Sequence, residues 1–320
     1  MPRLFLLACA LALPLSAFAA ETWPSRPVRL IVPFAPGGSS DVAARLFSQK
    51  LGERLGQQVV VDNRSSAGGI VGADLLARSP ADGYTLGLGN VSSQTASPLI
   101  FSNVGYHPIK SFTYIAFIGT VPVVMIVHPA FPAKSVADLV KMAKAQPGKI
   151  DYGTAGNGTI GHVVGEMFKL RTGVNLTHVP YRGSAFMFTD LRSGAIPLGF
   201  DALAQNSEHI KAGVVRALAI SGSKRVAMAP DIPTLVELGY PDLIGENWLG
   251  LIGPPGVPQP IVQRIHREVM ALAKDPEIAE RLARLGITHE PLTPEQFRDY
   301  AAKLYTSWIP VIKAAKITVN

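Results

Sequence analysis

Cysteine is all but missing from the chain: the single one, Cys9, falls within the first twenty residues. The remainder therefore has no disulfide, no thiolate nucleophile and no zinc–sulfur centre, and its fold must rest on an apolar core. Charge is sparse too, at 17% of residues against 48% hydrophobic, which excludes a disordered chain. Its 320 residues hold enough apolar material for one large or two medium packed domains. Lys and Arg outnumber Asp and Glu by 30 to 23, yet no run of four basic residues and no basic stripe interleaved with aromatics occurs. Nucleic acid is thus not expected as a partner, and a small acidic ligand is favoured.

Long hydrophobic runs are lacking as well. The apolar stretch at 4–15 is well short of the roughly 20 residues that span a bilayer, and the next, at 115–127, is interrupted by Gly119 and Pro122. With Arg3 before it and Ala17-Phe18-Ala19 after it, the first stretch reads as a secretory signal at 1–19, cleaved after Ala19. The alternatives are a membrane anchor and a lipoprotein site at Leu6-Leu7-Ala8-Cys9, which almost no apolar segment precedes. The mature protein is expected to be soluble in the periplasm. Enzyme signatures are also wanting: there is no G-x-S-x-G elbow and no H-E-x-x-H, and the seven histidines form no metal-spaced pair. Ser221-Gly222-Ser223-Lys224 matches S-x-x-K, but the only KTG-like triplet, Arg171-Thr172-Gly173, precedes it, opposite to the order in penicillin-binding enzymes. No catalytic residue, metal or cofactor is expected.

What the sequence does have is a regular alternation. VRLIVPF at 28–34 reads as a strand, a glycine turn follows, and 41–56 repeats apolar residues at helical spacing. Strands at 57–63 and 84–90 flank a helix at 70–79, and further strands are read at 114–119, 123–129, 149–155, 175–181 and 196–202. Helices at 135–145, 159–171 and 186–193 separate them, and helices at 260–273 and 294–315 close the chain. The reading is α/β, two-lobed, each lobe a doubly wound, mostly parallel sheet flanked by helices. Lobe 1 is assigned to 20–121 plus 246–320 and lobe 2 to 122–245, with Gly119 and Pro122 as break points in the crossing.

The unit of strand, glycine turn and helix occurs twice, at PFAPGGSSD and at YGTAGNGTIGH. In the second, Gly156, Gly158 and Gly161 stand in the G-x-G-x-x-G spacing of a dinucleotide site. Such a site needs an acid about 20 residues on, at the end of the next strand, and between Glu166 and Asp190 there is none. What survives is the anion chemistry that the fingerprint shares: glycines allow close backbone approach, and free N–H groups at a helix N-terminus face a negative group. One helix terminus contributes about 0.3–1 kcal/mol, up to about 2, whereas micromolar binding needs about 8, so a cleft must close both loops on the ligand. His162 beside the second loop either reaches the ligand or packs and caps its helix. Asp201, at a strand end, faces the cleft or serves a turn. Ser92 is a further candidate, after the third strand.

PSRPVRLIVPFAPGGSSDVAAR, VVVDNRSSAGGIVGADLLARSPADGYTLGLGN, YGTAGNGTIGH, HVPYRGSA, LRSGAIPLGFDA, VRALAISGSKR and PDIPTLVELGYP stand in order, and with them the chain resembles the tripartite tricarboxylate transporter substrate-binding proteins, the Bug family. The resemblance runs from about Trp23 to the C-terminus. It implies a two-lobed periplasmic binding protein, of the type II kind, that closes on a small organic acid, an aliphatic or aromatic mono- or dicarboxylate, and delivers it to membrane transporter subunits. It maps the carboxylate loops onto Phe34, Ala35, Gly37, Gly38, Ser39, Ser40 and Asp41 and onto Thr154, Gly156, Asn157 and Gly158, with Asp201 as the aspartate of the family's F-D pair. The sequence departs from the family where a G-x-A-P-A-like turn is expected and has Gly183-Ser184-Ala185-Phe186-Met187-Phe188. Phe186 is then either an apolar wall of the cleft or, with its two neighbours, core. A monomeric receptor is expected; the alternatives are an exported hydrolase or isomerase acting on a small carboxylate and a ligand sensor for a membrane signalling protein.

Overall fold

The computed structural model describes residues 23–36 and 39–317. The expected signal at 1–19, with Cys9, lies outside them, as do Gly37 and Gly38 and the side chain of Ser39. Among the described residues no helix is long and apolar enough to cross a membrane.

The first half of the chain builds as its periodicity dictates. Strands β1 (Val28–Val32), β2 (Val59–Asn63) and β3 (Thr85–Asn90) pair in parallel, β1 in the middle, with α1 (Ser39–Leu55) and α2 (Ile70–Ala77) as the crossovers. After β3 a π-helical segment, Ser92–Ala96, runs into the short helix α3 (Ser97–Ile100). The chain then enters β4 (Thr113–Val127), fifteen residues long and buried from its second residue onward.

In β4 the expected pair of strands proves to be one. Gly119 does not end it, because at φ 155° it forms an irregularity against which the Thr288 backbone packs, Thr120 and Thr288 exchanging both hydrogen bonds at 3.0 and 2.9 Å. Pro122, which has no N–H to give a ladder, sits where β4 changes partners. Before it, 113–122 pair antiparallel with β9 (Glu246–Gly253), which also borders β3. Beyond it, 123–127 pair antiparallel with β7 (Leu198–Ala202) and 124–127 with β8 (Arg216–Ile220). β5 (Asp151–Thr154) and β6 (Thr177–Pro180) extend the far side in parallel, giving the order β2-β1-β3-β9-β4-β7-β5-β6. The outer strands of each lobe are thus parallel, and the shared centre is antiparallel.

Helices cover both faces of both lobes. α4 (Val136–Ala145) starts at Ser135, whose hydroxyl accepts the Asp138 amide, and packs with α5 (Ile160–Thr172) on one face of the second lobe. α6 (Ser184–Ser193) and α7 (Leu203–Lys211) cover the other, where Met187, Leu191 and Leu203 meet Val124, Ile126 and Ile220. α8 (Gln259–Ala273) and α9 (Pro276–Arg284) return to the first lobe beside α1. α10 (Pro294–Ala314) opens with a capping box, Thr293 with Gln296, and places Phe297 against Phe117 and Trp248. Further along, its Leu304, Trp308 and Val311 share one core with Val163, Met167 and Phe168 of α5, so α10 lies across the seam between the lobes.

Gly161 is where α5 presses on the sheet: a methyl group there would stand 2.2 Å from the Phe200 carbonyl oxygen. Backbone cannot rotate aside as a side chain can, so Gly161→Ala is expected to cost about 3 kcal/mol, the upper part of the usual overpacking range. Denaturant unfolding reads this directly, and a variant of wild-type stability would contradict the packing described.

Candidate functional site

Both glycine loops leave the C-terminal ends of parallel strands, the edge where doubly wound sheets bind ligands. In the first lobe, the half-buried Phe34 follows β1, and its carbonyl accepts the Asn63 amide at 3.0 Å. Asn63 also donates to Asp41 at 2.9 Å, and Arg45 Nε donates to the other Asp41 oxygen at 2.9 Å. Asp41 is buried, and these bonds tie the first turn of α1 to the end of β2; its carboxylate also faces the positive end of the helix. Ala35 is exposed, Ser40 buried and Ser92 half-buried at the start of the segment after β3. Two residues that sequence reasoning passed over share that segment: Gln94 and Thr95 are buried, and their side-chain polar atoms find no partner.

The second loop is more fully determined. Gly156 and Gly158 take φ 140° and 73°, in the left-handed half of the map that favours glycine. The Thr154 hydroxyl accepts the Gly156 amide at 3.2 Å, and Thr159 Oγ1 donates to the Gly156 carbonyl at 2.8 Å. Asn157 stands exposed at the tip. The first-turn amides of Ile160, Gly161 and His162 have no acceptor inside the helix. A methyl group on Gly158 would lie 2.9 Å from Ile100 Cδ1, so this loop of the second lobe sits directly on α3 of the first.

Behind the loop is a buried polar stack that no local pattern announced. The rings of His162 and His178 lie parallel, 9° apart in plane and 3.9 Å between centroids. His162 Nδ1 accepts the Gly158 amide at 3.1 Å, and His178 Nε2 stands 2.7 Å from the Thr154 hydroxyl. Tyr152, beside His178, donates to Glu166 at 2.6 Å, and Lys169 donates to the same oxygen at 2.8 Å. Burial, with Lys169 nearby, holds His162 down at about 4; burial and then His162 hold His178 at about 4. Both rings are therefore neutral at neutral pH, and with Nδ1 accepting, His162 carries its proton on Nε2. Through Nδ1 it supports the loop.

Asp201 is similarly engaged. It accepts Ser184 Oγ at 2.7 Å and Asn206 Nδ2 at 3.0 Å, and burial raises its pKa against the lowering effect of these bonds and the Ala202 amide. It joins the start of α6 to the start of α7. Phe186, on the first turn of α6, is 64% exposed and is not core; Met187 beside it is fully buried, and Phe188 stacks on His209 at 4.0 Å. Thr154, Asp201 and Nδ1 of His162 thus bond within the scaffold, while Asn157 and Phe186 are exposed and Ser92 is half-buried. Among the described residues no group of three His, Cys, Asp or Glu side chains could hold a metal.

This geometry agrees with what the chain is similar to. Residues 43–317 match the model of the tripartite tricarboxylate transporter family receptors. Protein BugT of Bordetella pertussis (strain Tohama I) is 35% identical, over 97% of this chain and 94% of its own. Among solved structures, Rpa4515 of R. palustris with adipate is 35% identical with a TM-score of 0.78, over 92% of this chain and 99% of that one. MatC of Rhodopseudomonas palustris with bound malate is 28% identical with a TM-score of 0.74, over 91% and 100%. The periplasmic binding protein BugD, 34% identical with a TM-score of 0.73, covers 92% and 99%. With its family model matched over most of its length and its fold shared with these periplasmic receptors, the chain belongs to the tripartite tricarboxylate transporter receptor family.

Proposed function

We propose that the protein captures a small organic carboxylate between its lobes and delivers it to the subunits of a membrane transporter. One observation carries the reading: in each lobe a parallel strand runs through a loop into a helix, β1 into α1 and β5 into α5, and Gly158 in the second of these loops stands against Ile100 on α3 of the first lobe. An anion between them meets backbone amides and two helix N-termini. Relatives holding adipate and malate support a carboxylate as the ligand. In this reading lobe 1 comprises 20–121 plus 246–320 and lobe 2 comprises 122–245, the hinge lying where β4 changes partners at Pro122 and where β9 begins at Glu246. The loops at 34–41 and 154–158 hold the carboxylate head, and Phe186 offers an apolar wall to its body. In this reading the site retains its ligand unchanged: His162, the candidate base nearest the loop, is held at about 4 by burial, too weakly basic at neutral pH, and its one lone pair, on Nδ1, accepts the Gly158 amide. The receptor works as a monomer in the periplasm after removal of its signal at 1–19.

A thermal-shift panel of adipate, malate, citrate and benzoate tests this. Binding at a hundred times Kd adds about 2.7 kcal/mol, so at least one acid at millimolar concentration is expected to raise Tm by several degrees. NMR of the recovered acid should show it unaltered. No shift with any carboxylate, or conversion of the acid, would overturn the reading.

A further inference from the structure

On the side of the seam away from the glycine loops, α10 leaves one stripe uncovered. Leu304, Val311 and Ala314 recur at helical spacing along a groove of about 680 Å³. Its far wall is the C-terminal half of α5, at Met167 and Leu170, and the turn at 241–244. That volume lies within the range of small-molecule sites, about 300–1,000 Å³. The lining is mainly apolar, and Leu170 is 49% exposed in it.

The rim carries an excess of positive charge. Lys303 and Arg171 both border the groove, against one acid, Asp242. Asp242 lies 3.4 Å from Arg171, and both are more than half exposed, so the pair is weak and readily gives way to another anion. Lys303 forms no ion pair among the described residues. An apolar trough with a cationic lip fits a single-headed anion with a long apolar body. It does not fit a short dicarboxylate, whose second charge would be left in the apolar part.

The two walls also belong to different lobes. α10 is fixed to the first through Phe297 on Phe117 and Trp248, and α5 is fixed to the second through Phe168 on Phe200. Any hinge movement changes the width of the groove, and whatever fills it favours one lobe arrangement over the other.

We propose that this groove is a second ligand site, taking a medium-chain monocarboxylate, and that its occupancy is coupled to lobe closure. The coupling, though not the site, rests on the lobe movement invoked above. Decanoate, kept below its micelle concentration, is the probe, with octanoate as its shorter partner. Titration calorimetry on the full mature chain is expected to show one site, with decanoate bound about tenfold more tightly than octanoate as two methylenes leave water. Leu170→Glu, on an already exposed wall, and Ala314→Trp, which fills the trough, should each weaken decanoate at least tenfold without lowering Tm appreciably. Gly158→Val, at the glycine loop, should retain the decanoate site, its affinity changing only by the lobe coupling and far less than in the two groove variants. Saturating decanoate should also change the radius of gyration in solution scattering. Absence of binding, or binding lost in Gly158→Val but kept in Leu170→Glu and Ala314→Trp, overturns the site. Concentration-dependent dimerisation abolished by Leu170→Glu would assign the groove to a second copy, which also overturns it. Decanoate bound at the groove with an unchanged radius of gyration overturns the coupling alone. None of these readouts needs the cleft ligand, so their failure is distinct from failure of the carboxylate reading.

Discussion

Valine in place of Gly158 is expected to weaken the cleft acid at least a hundredfold while leaving the protein folded. Three effects act together. At φ 73° a β-branched side chain is strained where glycine is not. The new Cβ stands 2.9 Å from Ile100 Cδ1, so the Ile100 side chain must turn aside, and the two further methyls of valine crowd the same contact, for the loop and α3 to keep their approach. Any displacement of the loop also lengthens the 3.1 Å bond from the Gly158 amide to His162, which sets the direction of its neighbouring amides. A hundredfold corresponds to about 2.7 kcal/mol, within the reach of one strained residue and one steric conflict. Adding Ile100→Ala should restore part of the affinity, because it removes the far side of the conflict. Calorimetry with the acid that gives the largest thermal shift provides the numbers; wild-type affinity in Gly158→Val would mean that the glycine serves only its turn.

The second large effect concerns pH and the hinge. Glu246 opens β9 opposite Pro122, and burial pushes its carboxyl up to about 7, with Glu290 adding to the rise and the Ser223 amide, the Thr120 hydroxyl and Lys224 opposing it. Lys224 itself pairs with Glu290 at 3.2 Å, and the buried Tyr300 hydroxyl also lies near both acids. Since the folded state holds this proton more tightly than the unfolded chain does, the stability it contributes is fully present below about 4.5 and is lost as pH rises through about 7. The difference is on the order of 3 kcal/mol at about 1.4 kcal/mol per unit. His162 and His178 run the other way, for their depressed values make their contribution complete above about 6.5 and lost as pH falls through about 4. Of Glu246, His162 and His178, only Glu246 departs at pH 8 from the state that the fold prefers. Glu246→Gln, which keeps the shape of the protonated acid, is therefore expected to be more stable than wild type at pH 8 by 2–3 kcal/mol and about equal at pH 5. Urea unfolding at the two pH values measures it; a Gln variant no more stable at pH 8 would show that the carboxyl is ionised there without penalty.

Much of the scaffold was legible because helix and strand periods alternate strongly between 28 and 202, and because the two glycine turns are local signals. β4 was not legible as one strand. Gly119 and Pro122 are breakers when read locally, and what overrides them is the Thr288 backbone, which only the tertiary fold brings alongside. α9 and α7 are short, and the segment after β3 follows a π-helical path that has no simple period. At the site, the loops themselves were legible but the chemistry of their side chains was not. Asp41 read only as part of the first carboxylate loop and Asp201 as facing the cleft or serving a turn, and their partners Asn63 and Ser184 come from other elements whose placement no spacing encodes. His178 reaches His162 only because the register sets Tyr152 opposite His178 and α5 folds over that pair. Phe186 shows the limit of helical patterning, since on the first turn of α6 an apolar residue faces outward as easily as in.

Capture by closure of two lobes on an acid is most directly tested by solution scattering of the mature protein with and without a saturating carboxylate, taken as the acid with the largest thermal shift. Contraction of the radius of gyration on binding, absent in Gly158→Val, is the predicted result. An unchanged radius while calorimetry shows the acid bound would contradict the account, because the two glycine loops would then not be the jaws that hold it.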